Sequence, residues 1–372
     1  MIIGVPREIK DNEYRVATTP ACVEQLIEAG HHLFIEEGAG IGSGIPDRDF
    51  EAAGARILPD PASLLGEAEL ILKVKEPLSS EYGYFREGQI LFTFLHLAAN
   101  RSLTEHLLQR KVTAIGYETI ETDEGTLPLL IPMSEIAGRM AVQIGAYYLE
   151  SHNGGKGVLL SGVPGVRNGE VVIVGGGIVG ANAARIARAM GARVTLIDKN
   201  PARLKVLDDR FGGDVTTLTP IKKNIAEAVS KADLLIGAVL VPGALAPKLI
   251  SRQMIQTMEG GSVVVDVAVD QGGCIETTRP TTHSEPVYEI DNVTHYAVTN
   301  IPGAVARTST YALTNVTLPY VTEIADHGLE KALKNLSSLQ RGLNIFQGHV
   351  THPSVAESLN LPYVSWDQAL HS

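Results

Sequence analysis

The chain is poor in cysteine, in aromatic residues and in positive charge. Only Cys22 and Cys274 occur in 372 residues, without CxxC spacing, so no disulfide framework holds the fold and a reducing cytoplasm is the expected location. Aromatic residues make up 5% and the net charge is −11, which argues against a stacking surface for nucleic acid and repels polyanions at long range. A local basic pocket for a small acid stays compatible with that balance. No uninterrupted apolar run reaches the length of a membrane span: the longest, residues 234–247, holds two prolines and two glycines. The opening run, Met1-Ile-Ile-Gly-Val-Pro-Arg-Glu, is too short for a signal peptide, so neither membrane nor export is expected. There is no internal repeat and no low-complexity tract.

What remains is an ordinary globular composition, 44% hydrophobic and 20% charged, in a chain long enough for about two domains. Its most informative stretch is Val171-Val-Ile-Val followed by Gly175, Gly177, Ile178 and Gly180, a G-x-G-x-x-G sequence between an apolar strand and a helix. The first glycine permits a tight turn, the second lets backbone approach a pyrophosphate, and the third packs helix against strand. The helix N-terminus then faces the phosphates with unpaired N–H groups and the positive end of its dipole. Asp198 closes the next apolar strand, where a carboxylate accepts bonds from ribose hydroxyls. A glycine triplet alone is a weak signal among 37 glycines; strand, helix, second strand and terminal acid in register predict dinucleotide binding.

Apolar runs alternate with helical segments on both sides of this unit. Residues 2–5, 32–35, 70–74, 90–94 and 112–117 read as strands, and 20–29, 47–53 and 101–109 as helices. Such spacing implies a parallel sheet covered by helices, here without a glycine fingerprint. A long helix is expected from Ser134 to the Asn153-Gly154-Gly155 stop, and another over 310–327, interrupted at Pro319. The expected fold is α/β, with two doubly wound, Rossmann-like parallel-sheet domains and the active site in the cleft between them. Residues 1–130 and 305–372 would form a discontinuous substrate domain, and 131–304 an inserted nucleotide-binding domain.

Several polar residues stand where ligands usually lie in such folds, beyond the carboxyl ends of strands. The strand period puts Lys73 and Lys75 on one side, so one or both emerge at the sheet's end or form a solvated edge pair. His96, one polar ring in an apolar run, reads either as a core histidine or as an acid/base group. Arg15 lies in the first strand-to-helix loop, where an arginine can clamp a carboxylate or simply face solvent. Asp270 ends a buried strand beside a glycine pair and reads as a turn former or a site residue. Glu323 and His327, at i, i+4 on a helix, read as a metal pair or a solvated face.

Taken together, Gly4-Val-Pro-Arg-Glu, Glu13-Tyr-Arg-Val, Val74-Lys-Glu-Pro, Phe94-Leu-His-Leu-Ala-Ala, Tyr117-Glu-Thr, Pro132-Met-Ser-Glu-Ile-Ala-Gly-Arg, the glycine fingerprint, Asp266-Val-Ala-Val-Asp-Gln-Gly-Gly and Pro302-Gly-Ala-Val resemble the alanine dehydrogenase family, related to a transhydrogenase subunit. The resemblance covers nearly the whole chain. It implies reversible NAD-dependent oxidative deamination of L-alanine to pyruvate and ammonium, in a homo-oligomer, a hexamer. It also implies that Arg15 and Lys75 hold the substrate carboxylate and keto oxygen, His96 is the acid/base, and Asp270 assists at the carbinolamine and imine stages. By the same resemblance Ser134, Asp198, Arg203, Val239, Leu240, Val267, Arg279 and Asn300 contact the nucleotide beside the fingerprint residues Gly175, Gly177, Ile178 and Gly180, and Glu323 with His327 occupies a metal-associated position. Two positions depart from the family pattern: Pro220 replaces a hydroxyl residue near the adenosine and Ala306 a proline. The rival readings are a transhydrogenase-like NAD-binding subunit and a saccharopine-type dehydrogenase of the lysine pathway.

Overall fold

A computed structural model describes residues 1–239 and 246–371, with Gln271 described in its backbone only. The chain divides into two compact units, Met1–Met133 with Val305–Ser372, and Ser134–Ala304.

The first unit is built on an eight-stranded sheet among the described residues, ordered β15-β14-β6-β5-β4-β1-β2-β3. Numbered in chain order, these are β1 (Ile2–Val5), β2 (His32–Glu36), β3 (Arg56–Leu58), β4 (Leu70–Leu72), β5 (Ile90–Thr93), β6 (Thr113–Gly116), β14 (Leu343–Phe346) and β15 (His349–Val350). Strands β1 to β6 are parallel; β14 runs antiparallel to β6 and β15 antiparallel to β14. Strand β1 has β2 on one side and β4 on the other, so the chain reverses its direction of travel across the sheet between β1 and β4. Crossovers diverge at such a switch point and leave a crevice outside the carboxyl ends of the two strands. Ile71, Leu91, Ala114 and Ile345 form one buried face with Leu64, Leu103 and Leu107 from covering helices, each large side chain contributing about 1.5–3 kcal/mol.

The second unit carries, among the described residues, a seven-stranded sheet ordered β12-β13-β11-β10-β7-β8-β9. Its strands are β7 (Glu170–Val174), β8 (Arg193–Ile197), β9 (Val215–Leu218), β10 (Leu234–Gly237), β11 (Val263–Asp266), β12 (Val287–Ile290) and β13 (Val293–Tyr296). All are parallel except β12, which pairs antiparallel with β13. The continuous apolar run of β7 is explained by burial on both faces. Val171 and Ile173 pack with Ala181, Ala184 and Ala187 of the helix Ile178–Ala189, while Val172 and Val174 face Ile225, Ile250 and Met254 on the other side.

Among the differences from expectation, three have a plain local reason. The long helix begins at Ile131 rather than Ser134, because Pro132 needs no hydrogen bond in a first turn. The helix Ala306–His327 runs through Pro319 without interruption, anchored on both sides of it by buried Leu313, Thr314, Thr317, Val321 and Ile324. Strand β11 ends at Asp266, four residues before Asp270, because the Asp266 carboxylate accepts the Ala268 N–H (3.2 Å) and turns the chain.

Candidate functional site

In the first unit, the carboxyl ends of β1 and β4 gather a cluster of opposed charges. Lys73, 1% exposed, donates to Glu81 Oε1 (2.9 Å) and Glu8 Oε2 (3.2 Å). Burial works against its charge, but the two carboxylates outweigh burial and raise its pKa. The other oxygen of Glu8 accepts the N–H groups of Val74 (2.6 Å) and Lys75 (3.3 Å), which diverts backbone donors from the sheet and ends β4 at Leu72. Burial pushes the Glu8 carboxyl above the ordinary range, against the pull of Lys73.

Lys73 is therefore committed to structure, and Lys75 is the lysine that emerges. No ion pair within 4.0 Å engages the Lys75 ammonium among the described residues. Burial, and then the positive charge of Arg15, hold its pKa below the usual lysine value. Arg15 is 3% exposed, so the reading of a solvent-facing arginine is excluded. Its Nε donates to Glu13 Oε1 (2.6 Å), Nη2 pairs with Glu13 Oε2, and Nη1 lies 3.2 Å from Met133 Sδ. Burial would raise the Glu13 pKa, but its bonds to Arg15 prevail and lower it.

His96 lies three residues beyond the end of β5, the strand next to β4. The two strand ends are tied together, Phe94 N–H to Val74 O (3.3 Å) and Thr93 Oγ1 to Lys75 O (3.0 Å). His96 is exposed, which rules out a core histidine. Its backbone has φ 50° and ψ 36°, the left-handed region that side chains other than glycine rarely adopt. Glu118 holds that conformation by accepting the N–H groups of Leu95 (3.1 Å) and His96 (2.6 Å). Local strain fixed by a dedicated carboxylate is characteristic of residues placed for function. Glu8 and Glu118 lie in two of the stretches that carry the family resemblance, but their roles are not readable there, since each acts on backbone N–H groups distant in the chain, for which no sequence spacing exists.

In the second unit the fingerprint builds an anion site. Gly175 has φ +109°, and a Cβ there would meet Ala238 O at 2.4 Å; a Cβ on Gly180 would lie 1.8 Å from Gly175 O. Gly177 caps the helix Ile178–Ala189 with no side-chain bond, and a Cβ on it would meet nothing within 4 Å. The first helical N–H groups are thus left to a ligand. Ile178 begins this helix 38% exposed. Asp198 accepts the N–H groups of Gly176 (2.6 Å) and Asn200 (2.8 Å), while Arg203 Nε donates to Gly176 O (2.6 Å), so both brace the glycine turn. A carboxylate has about four acceptor positions, which leaves Asp198 capacity for ribose hydroxyls. The set fits a dinucleotide.

The remaining residues are distributed as follows. Val239 and Val267 follow β10 and β11 and are half-buried; Val267 N–H donates to Gly237 O (2.9 Å). Asp270 is exposed in the 3-10 turn Val269–Gln271, which Gly272 closes with φ 86°. Lys248 ties this turn down through Gly272 O (2.5 Å) and Ile275 O (2.9 Å). Arg279 lies over the Tyr288 ring at 4.3 Å, and Asn300 O accepts His283 Nε2 (2.7 Å). Ser134 is half-buried in the first turn of the helix Ile131–Tyr148, and Leu240 falls outside the described residues. Ala306 is the buried first residue of its helix; Pro220 lies between β9 and the helix Lys222–Val229.

The metal reading of Glu323 and His327 gains no support. The pair is 3.8 Å apart, Glu323 Oε1 is taken by Asn335 Nδ2 (2.7 Å), and no cluster of three or more potential ligands occurs among the described residues. His327 lines a groove with Ile90 and Thr113, the first residues of β5 and β6, at the opposite end of the sheet from His96.

Two family models match the chain, the alanine dehydrogenase/PNT N-terminal domain over residues 4–137 and the C-terminal domain over residues 141–353. The chain belongs to the alanine dehydrogenase/PNT family. Among its relatives, an alanine dehydrogenase of Methanococcus maripaludis is 59% identical over the full length of both chains. One of Bacillus subtilis is 56% identical, over 100% of this chain and 98% of that one. A solved L-alanine dehydrogenase has a TM-score of 0.95 at 51% identity, covering 97% of this chain and 99% of its own. A transhydrogenase from Sinorhizobium meliloti has a TM-score of 0.81 at 27% identity, covering 95% and 100%. For an alanine dehydrogenase/PNT family member, both fingerprint and lysine cluster thus lie at the carboxyl ends of their parallel sheets, where doubly wound folds bind ligands. No helix among the described residues is long and apolar enough to cross a membrane.

Proposed function

We propose that the chain catalyses the reversible NAD-dependent oxidative deamination of L-alanine: L-alanine, NAD⁺ and water give pyruvate, ammonium, NADH and a proton. The observation that carries this reading over a transhydrogenase-like subunit is the 56–59% full-length identity to two alanine dehydrogenases, set against 27% to the transhydrogenase. The unit Ser134–Ala304 would hold NAD through the glycine turn, the first turn of the helix Ile178–Ala189 and Asp198, with Ser134, Arg203, Val239, Leu240, Val267, Arg279 and Asn300 around it. When bound, NAD⁺ accepts a hydride from the substrate α-carbon.

The chain's own groups do the rest. Arg15 and Lys75 hold the carboxylate and keto oxygen, their charge matching an anionic substrate. His96 takes a proton from the water that adds to the imine, and returns one to the departing nitrogen of the carbinolamine. Asp270 has the role that the family resemblance implies, assisting at the carbinolamine and imine stages. The wall of Glu118 and Glu8 bonds keeps His96 and Lys75 where a reacting atom needs them. A cytoplasmic homohexamer belongs to the same reading, and sedimentation tests the assembly. The activity is tested by following NADH oxidation with pyruvate plus ammonium, compared with 2-oxoglutarate plus lysine. Rapid oxidation with the first pair alone is expected. Turnover only with the second pair would indicate the lysine-pathway rival, and NADH binding without any turnover the transhydrogenase-like one.

NAD is expected to be preferred to NADP by about 100-fold or more in kcat/KM, because Asp198 would meet a 2′-phosphate with like charge. Arg203 does not fully offset this, since its Nε is taken by Gly176 O and only part of its guanidinium remains for a phosphate. Equal kcat/KM for NADH and NADPH would remove Asp198 from the ribose site.

A further inference from the structure

One carboxylate at the crevice between β1 and β4 is incompletely used. Glu76 Oε1 is bound by the Lys10 ammonium, whereas Glu76 Oε2 is buried and accepts no hydrogen bond from any other residue among those described. The adjacent Lys75 ammonium makes no ion pair with it within 4.0 Å. An unmet acceptor on a buried carboxylate costs about 1–3 kcal/mol or more, which a fold sustains where a ligand completes the bond. Burial would favour a neutral acid here, but Lys10 and then Lys75 keep the Glu76 pKa low. The acceptor is therefore anionic.

The neighbouring carboxylates are committed. Glu8 serves Lys73, Val74 and Lys75; Glu81 serves Lys73 and the Leu78 N–H; Glu13 serves Arg15; Glu118 serves Leu95 and His96. A small amino acid or its keto acid plus ammonium offers three groups to such a site: a carboxylate, a keto oxygen and a nitrogen. The first two match cations, and Arg15 with Lys75 provides them. The nitrogen alone carries N–H donors and positive charge, and so matches an anionic acceptor beside Lys75. We propose that Glu76 binds the reacting nitrogen, holding ammonium in the aminating direction and the substrate amino group in the deaminating one. This rests on the deamination reading above, which wild-type turnover with pyruvate and ammonium tests first.

In Glu76→Gln the amide oxygen can still face Lys10, while the free acceptor becomes an NH₂ donor. The KM for ammonium is expected to rise about 10–100-fold, with the KM for pyruvate and for NADH changed less than about threefold and the melting temperature near that of the wild type. Glu76→Asp keeps the charge but withdraws the acceptor by one methylene, and is expected to raise the ammonium KM as well, with pyruvate and NADH again changed less than about threefold. An unchanged ammonium KM in Glu76→Gln, as expected if Oε2 merely binds water, overturns the proposal, as does an equal rise for all three reactants. Should Glu76→Gln fail to fold, Glu76→Asp decides: an ammonium KM that stays constant, or a rise shared equally by all three reactants, overturns the assignment, and a rise for ammonium alone sustains it.

Discussion

Replacing His96 by Gln is expected to lower kcat by about 10²–10⁴-fold, the usual contribution of a positioned proton-transfer group, while leaving the fold intact. The fold should survive because His96 is exposed and the bonds that hold its left-handed backbone come from its own N–H and that of Leu95, which any side chain leaves in place. Gln keeps similar bulk and a hydrogen-bonding end but lacks the titrating nitrogen. The limb of the kcat–pH profile that belongs to the proton-transfer group should disappear. Pyruvate binding should weaken less than turnover falls, since Arg15 and Lys75 still hold the anionic groups. Melting temperature and NADH affinity serve as controls. Near-normal turnover in a folded variant would transfer the acid/base role to Lys75 or Asp270.

The second large effect concerns stability. Lys73→Met removes the cation shared by Glu8 and Glu81 and leaves two carboxylates in a buried place, which is expected to cost about 3–5 kcal/mol. Glu8 already has a folded pKa above its ordinary value. A group raised in this way contributes stability that is fully present below its unfolded pKa and is lost as pH rises through the folded one. Without Lys73 that loss grows, so the deficit of the variant should be largest at neutral and alkaline pH and shrink in mild acid, where the carboxyls take up protons. Urea midpoints measured across that range check the sign. A deficit that is constant with pH, or that deepens in acid, would mean that the Lys73 charge is not what stabilises the cluster.

The unit Ser134–Ala304 was legible because its signals are local. A βαβ unit is contiguous in sequence, and Gly175, Gly177, Gly180 and Asp198 have their types dictated by backbone close approach and strand end. The β7 run, buried on both faces, likewise announces a parallel sheet. Lys75 and His96 were legible as candidates for a similar reason, since both lie at or just beyond a strand end, but their states were not. Lys73 and Lys75 share a strand period and a side-chain chemistry, and only Glu8 and Glu81, brought from beyond β1 and beyond β4, separate the committed lysine from the available one.

The sequence alone therefore determined the element types, the fingerprint and the family resemblance, because these depend on residue order within a few tens of positions. Tertiary structure decided the rest: the burial of Arg15 against Glu13, the strained pose of His96 on Glu118, the end of β4 at Leu72, and the unused oxygen of Glu76. Each of these arises where a charged side chain finds, or fails to find, a partner. At the carboxyl ends of parallel strands those partners come from loops far apart in the chain, and burial fixes their energy only once the sheet has brought the loops together.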